Sequence, residues 1–176
     1  FGLENMDISQ VTGDINNCAS VEKGMSIRVK TGDIVLENIQ AQTMDFSVTT
    51  GDIVVCDSTC TGESEFKVRT GDVRLTNVSC NGFSSSGTTG DLLLTNTIVK
   101  DVLNVGRTTG EIKLDRCDAG ELYLKTTTGS VTGSLLSEKV FIAKSTTGSV
   151  DVPKTTNGGI CEISTTTGNI QMDIVS

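Results

Sequence analysis

The sequence predicts an all-β fold of one kind: a single-stranded parallel β-solenoid of about nine coils, each 19–20 residues long. Three observations predict it. A Thr-Gly pair recurs at nine evenly spaced positions, with glycines Gly13, Gly32, Gly51, Gly71, Gly90, Gly110, Gly129, Gly148 and Gly168 separated by 19, 19, 20, 19, 20, 19, 19 and 20 residues. A fixed period of this length is the mark of a stacked repeat. Aliphatic and polar residues alternate on both sides of each glycine, so every copy holds two short strands. The chain is only 36% hydrophobic and 3% aromatic, with no Trp, which is too little to fill a wide globular core but enough for a narrow one.

Each column of the repeat has a reading. The residue before the glycine is Thr in all nine copies, from Thr12 to Thr167. The residue two after it is aliphatic in all nine, from Ile15 to Ile170, and the residue four after it is mostly so, with Asn17 and Gly133 as breaks. Seven before it lie Met6, Met25, Met44, Phe83, Leu103, Leu122, Phe141 and Cys161, with Ser64 the exception. Five before it the exception is Ser85. A 20-residue unit cannot bury its apolar face alone, so copies stack in sequence order, each strand pairing in parallel with its equivalent about 4.8 Å away. Nine coils then make a rod about 40 Å long. The general handedness of parallel crossovers makes a right-handed rod the expectation. Residues 1–176 read as a single domain, expected to belong to a longer chain because the first residue is Phe1 and not Met.

The corners come next. Glycine turns the first corner with positive φ. Asn38, Asp57, Asn77, Asn96 and Arg116, six residues after the glycine, mark a second corner of the left-handed kind that Asn and Asp tolerate. Directly after the glycine stand Asp14, Asp33, Asp52, Asp72, Asp91 and Glu111, followed by Ser130, Ser149 and Asn169. Stacked carboxylates repel one another. Hydrogen bonds from corner amides would offset this, a part Ser and Asn can share; the other expectation is Ca2+ held by these six acids.

Six cysteines occur without any His, and their spacing is not that of a zinc site. Cys60 and Cys80 share a register in adjacent coils, near enough for a disulfide; reduced packing thiols are the alternative. Cys18 and Cys56 also share a register, two coils apart, and Cys117 and Cys161 fall on inward columns. Two stretches depart from the pattern: Ser84, Ser85, Ser86 and Gly87, then Gly106 and Arg107. They read as a bulge or a thin patch of core, with a ligand slot as the other possibility.

Charge and composition narrow the function. A net charge of −8 argues against nucleic acid as a partner and against electrostatic adhesion to anionic membranes. No run of 18 apolar residues exists to cross a membrane as a helix. The acids are dispersed at turns, and no long loop is present to build a cleft, so the chain reads as non-enzymatic. The rival readings are a polysaccharide-acting β-helix enzyme, which rests on fold analogy alone, and ice binding through the outward row Thr88, Thr108, Thr127, Thr146 and Thr166.

The strand–Thr-Thr-Gly-Asp–strand unit, seen in Val48-Thr49-Thr50-Gly51-Asp52-Ile53 and Thr108-Thr109-Gly110-Glu111-Ile112, resembles the adhesin-like bacterial β-strand-repeat family, whose members are domains of unknown function. The resemblance covers essentially the whole chain and carries no catalytic signature. It implies a bacterial envelope protein on the extracellular face of the membrane, tethered through an N-terminal segment absent here, with a part in adhesion or envelope stress. The expected partner is a protein or envelope component. Exposed terminal coils make end-to-end self-association a further expectation.

Overall fold

The corner glycine determines how the coils meet. In the computed structural model, which describes residues 3–16 and 21–175, the nine corner glycines have φ between 129° and 152°. Each passes so close to its neighbour that a Cβ on Gly51 would lie 1.9 Å from the Gly32 carbonyl oxygen. Only glycine permits both the conformation and the approach. The amide of every corner glycine except Gly148 donates to the carbonyl of the Thr in the coil stacked next to it, as from Gly32 to Thr50 at 3.0 Å.

Around this hinge the chain forms two parallel sheets. One holds the strands before the corner, such as Val21–Thr31, Thr43–Thr50 and Ser79–Thr89. The other holds the shorter strands after it, such as Ile34–Glu37, Ile53–Cys56 and Leu92–Thr95. Every strand pairing among the described residues is parallel, and like positions face like positions: Met25 meets Met44, Ile27 meets Phe46, Ile34 meets Ile53. No helix interrupts the strands among the described residues. The second corner falls where the sequence places it, with Asn38, Asp57, Asn77, Asn96 and Arg116 all near φ +50°.

The core is a continuous column between the sheets, with Ile27, Phe46, Val73, Leu92, Leu103 and Leu122 among its fully buried members. The two serine exceptions have a packing reason. Ser64 pairs with Phe83, and Ser85 pairs with Phe66, so each small residue faces a bulky one. Phe66 stacks on Phe46 at 5.0 Å and meets Phe83 edge-on at 5.2 Å. The hydroxyl of buried Ser64 donates to the Gly82 carbonyl, which satisfies it inside the core.

The stacking order departs from the sequence order at one end. Leu122 pairs with Cys161, and Cys161 in turn pairs with Phe141. Val131 pairs with Ile170, and Ile170 with Val150. The ninth coil is therefore inserted between the seventh and the eighth, and the eighth forms the end of the stack. Core quality explains the exchange. The ninth coil buries Cys161, Ile163, Ile170 and Met172 almost completely, whereas Val150 of the eighth is 42% exposed. The eighth coil's second strand has only two residues, Val150–Asp151, and Pro153 follows, a residue suited to an edge. Met172 lies opposite Gly133, so a long side chain covers the position where the apolar column lacks one.

The insertion needs a thin segment. A Cβ on Gly158 would lie 1.9 Å from the Glu138 oxygen, and one on Gly159 would lie 1.8 Å from the Gly120 oxygen. The chain passes between its neighbours there with no room for a side chain. Lys139, which pairs with Gly159 across the strands, reaches Asp118 with a 2.8 Å ion pair, its side chain only 5% exposed. Ser137 donates to the same carboxylate. This buried clasp ties the displaced eighth coil to the segment below the inserted one.

At the other end, the Gln10 side-chain amide donates to the Thr12 carbonyl, satisfying the acceptor that every later coil offers to the glycine of the coil before it. Substituting Gly51→Ala is expected to cost about 3 kcal/mol, from strained φ and backbone overlap together. Gly159→Ala should cost about 1–3 kcal/mol by overpacking alone. Denaturant titration by circular dichroism measures both, and a Gly159→Ala variant as stable as the parent would contradict the inserted arrangement.

Candidate functional site

The acidic corner column is the first candidate, and the structure uses it structurally. The carboxylate Oδ1 of Asp14 accepts from the Asp33 amide at 3.0 Å, Asp33 from Asp52 at 2.9 Å, Asp52 from Asp72 at 2.8 Å, Asp72 from Asp91 at 2.9 Å, and Asp91 from Glu111 at 2.9 Å. Ser130 Oγ accepts from the Asn169 amide, and Asn169 Oδ1 from the Ser149 amide. The late coils thus perform the same capping with neutral groups, and they do so in the exchanged order. Each of the five aspartates accepts the amide of the following coil, which offsets the repulsion along the column. Exposed pairs of Arg74 with Asp72 and Lys113 with Glu111 add a weaker screen. Among the described residues no three His, Cys, Asp or Glu side chains converge as a metal-holding group, and one oxygen of each of the five aspartates is taken up by a corner amide.

The cysteines are the second candidate. Cys60 and Cys80 are direct register partners, as their spacing requires, and both are buried free thiols. Cys60 contacts the Gln42 and Glu63 carbonyls through sulfur. Burial raises the Cys60 thiol and pushes Cys80 up to about 11, Cys117 up to about 11 and Cys161 up to about 12. Such thiols hold little thiolate at neutral pH and react slowly. Cys117 and Cys161 are fully buried inward residues, and Cys56 is half-buried at the second corner. Cys18 lies outside the described residues.

The two departures in the fifth and sixth coils turn out to be one feature. Neither is a bulge: pairing runs unbroken from Phe83 to Gly87 against both neighbours. Arg107 instead points inward, 5% exposed, in a column otherwise filled by residues such as Val29, Val48 and Val68. Its guanidinium donates to Ser85 Oγ at 3.0 Å and to the Gly106 carbonyl at 3.3 Å. Gly87 makes the room, since a Cβ there would lie 2.6 Å from Arg107 Nη1. The buried Nε has no hydrogen-bond partner. Burial pulls the guanidinium down to about 10, against the opposing pull of Asp72 and Asp91, so it stays charged at neutral pH. It forms no ion pair among the described residues. A buried cation with incomplete pairing costs stability, and departures of this kind gather at functional sites.

Above Gly87, on the outer face of the same sheet, lies a shallow depression lined by Ser47, Thr49, Lys67, Arg69, Ser86 and Thr88. Its cations Lys67 and Arg69 and its hydroxyls lie over the part of the sheet that buries Arg107. In the sequence, Gly106 and Arg107 read as a disruption of their coil. The signal that Arg107 points inward was its place three residues before Gly110, the same place as the buried valines of earlier coils.

Two measurements check these assignments. Arg107→Met should raise unfolding stability by about 1–3 kcal/mol, because an apolar side chain of similar length replaces an incompletely paired charge; a loss of that size would show the guanidinium to be a stabilising element. Asp52→Ala should cost about 1 kcal/mol by orphaning one corner amide, while 1 mM-scale Ca2+ or EDTA should leave the melting temperature of the parent unchanged. A melting temperature that rises with Ca2+ would favour the metal reading of the six acids.

The family model described as Toastrack DUF4097 matches residues 2–79 and again 65–176. No curated protein and no solved structure matches the chain. The two overlapping matches span nearly every coil of the solenoid, and the chain belongs to the Toastrack DUF4097 family.

Proposed function

We propose that the chain is a non-catalytic interaction module of the bacterial cell envelope, held at the extracellular face through an anchoring segment outside residues 1–176. The observation that carries this reading is the rod itself. One narrow core supports two long, repeated polar faces, and the cations Lys67 and Arg69 line a surface depression on one of them, over the sheet that buries Arg107. A stacked repeat of this kind suits extended contact with a partner. The compartment and the adhesin-like role follow from the resemblance of the Thr-Thr-Gly-Asp unit and are part of the proposal.

Three outcomes test it. In cells carrying the full-length protein, a membrane-impermeant amine-reactive biotin should label the rod without lysis; labelling only after lysis contradicts the compartment. In an oxidising compartment, register-paired Cys60 and Cys80 are the cysteines expected to join, seen as a linked peptide on non-reducing mass spectrometry. Incubation with a panel of polysaccharides should release no reducing ends, and cleavage of any of them would favour the rival enzyme reading.

End-to-end association, if it occurs, joins the first coil to the eighth and not to the ninth. Light scattering over a wide concentration range separates a growing assembly from a monomer. The Gln10 cap and Pro153 are features that blunt such edges.

A further inference from the structure

The outward columns four and two residues before the corner glycine carry cations and no acids, and they lie between the acidic corner column and a column, six before the glycine, that holds Asp7, Asp45, Glu65 and Glu162. They hold Arg28, Lys30, Lys67, Arg69, Lys125 and Lys144, six of the chain's 14 Lys and Arg, and not one of its 22 Asp and Glu. Apart from Val11 and Gly106, the remaining positions in these columns are Ser or Thr. The column of Ser9 and Arg28 runs the length of the rod through direct register pairs. In stacking order its cations Arg28, Lys67, Lys125 and Lys144 take the second, fourth, seventh and ninth places. Ser47 separates the first pair, Ser86 and Gly106 the second, and Ser164 the third.

The exchanged coils contribute to this spacing. In sequence order Lys125 and Lys144 would be direct neighbours. The inserted ninth coil places Ser164 between them and so relieves a like-charge contact.

We infer that this face binds a linear acidic polysaccharide lying along the rod axis, with one carboxylate in the depression between Lys67 and Arg69 above buried Arg107. Spacing favours this occupant. Cations two strands apart are separated by about 10 Å, which suits a polymer whose charged sugars alternate with neutral ones. A nucleic acid carries a phosphate every 3.4 Å or so along each strand, far more closely spaced than these cations. The serine and threonine hydroxyls between the cations donate to and accept from sugar hydroxyls. Arg107 supplies charge from below: it lies against Gly87, whose neighbours Ser86 and Thr88 line the depression. Lys67 is also bonded to Glu65 at 3.0 Å, but both side chains are about half exposed, and such a pair yields readily to a competing carboxylate.

The inference rests on the reading of the rod as an interaction module and names its ligand class. The test uses hyaluronate, in which acidic and neutral sugars alternate, with neutral dextran and oligothymidylate as the other arms, measured by fluorescence anisotropy at low salt. The expected result is binding of hyaluronate, not of dextran, weakened at least tenfold by Lys67→Glu with Arg69→Glu and unchanged by Lys113→Ser on the other sheet. Arg107→Met should weaken binding while raising the melting temperature, a pair of opposite effects that a purely structural arginine would not produce. Absence of hyaluronate binding, equal loss in the Lys113→Ser variant, or tighter binding of oligothymidylate would each overturn the inference. Surface labelling of cells in the absence of hyaluronate binding would overturn this ligand and leave the interaction module standing.

Discussion

The structure depends on one close contact: the backbone of each corner glycine against the carbonyl of the corner before it. At the approach seen between Gly51 and Gly32 there is no space for any side chain. That contact brings equivalent residues of neighbouring coils directly over one another. Stacked aliphatics then form a core, stacked carboxylates find the amides of the next coil, and the left-handed residues of the second corner fall into line. A chain poor in aromatic residues can fold this way because its core is narrow and continuous, and few heavy anchors are required.

The same uniformity explains what was legible in the sequence. The period, both corners, the inward columns and the register of Cys60 with Cys80 could all be read from spacing, because every copy repeats one local chemistry. The stacking order could not. Each corner offers the same amide and the same carbonyl, so the seventh coil can accept the eighth or the ninth with an identical ladder. The choice rests on small differences in apolar content, on Pro153, and on whether Gly158 and Gly159 can pass between Gly120 and Glu138. These are comparisons between distant segments, and alternation within one coil does not display them.

Arg107 was hidden for a related reason. Its position in the repeat identifies it as an inward residue, but a cation there conflicts with local expectation, so it looked like a break in the strand. The accommodation is distributed over two coils. Ser85 and Gly87 surrender volume and supply a hydroxyl, and the strand remains intact. Ser64 and Ser85, the polar exceptions in the apolar columns, complement Phe83 and Phe66 in the same manner. Exceptions to the repeat are thus paired across coils, and each makes sense only beside its partner.

The inserted ninth coil separates this molecule from a simple sequential stack, and the glycine contacts, the terminal clasp and the spacing of the cations all follow from it. Zero-length disulfide trapping between introduced cysteines at positions 125, 164 and 144 reports that order directly. The account expects the pairs 125–164 and 164–144 to join rapidly in the folded protein and 125–144 to remain apart. Rapid joining of 125 with 144 and none with 164 would show the coils stacked in sequence order and would contradict the account.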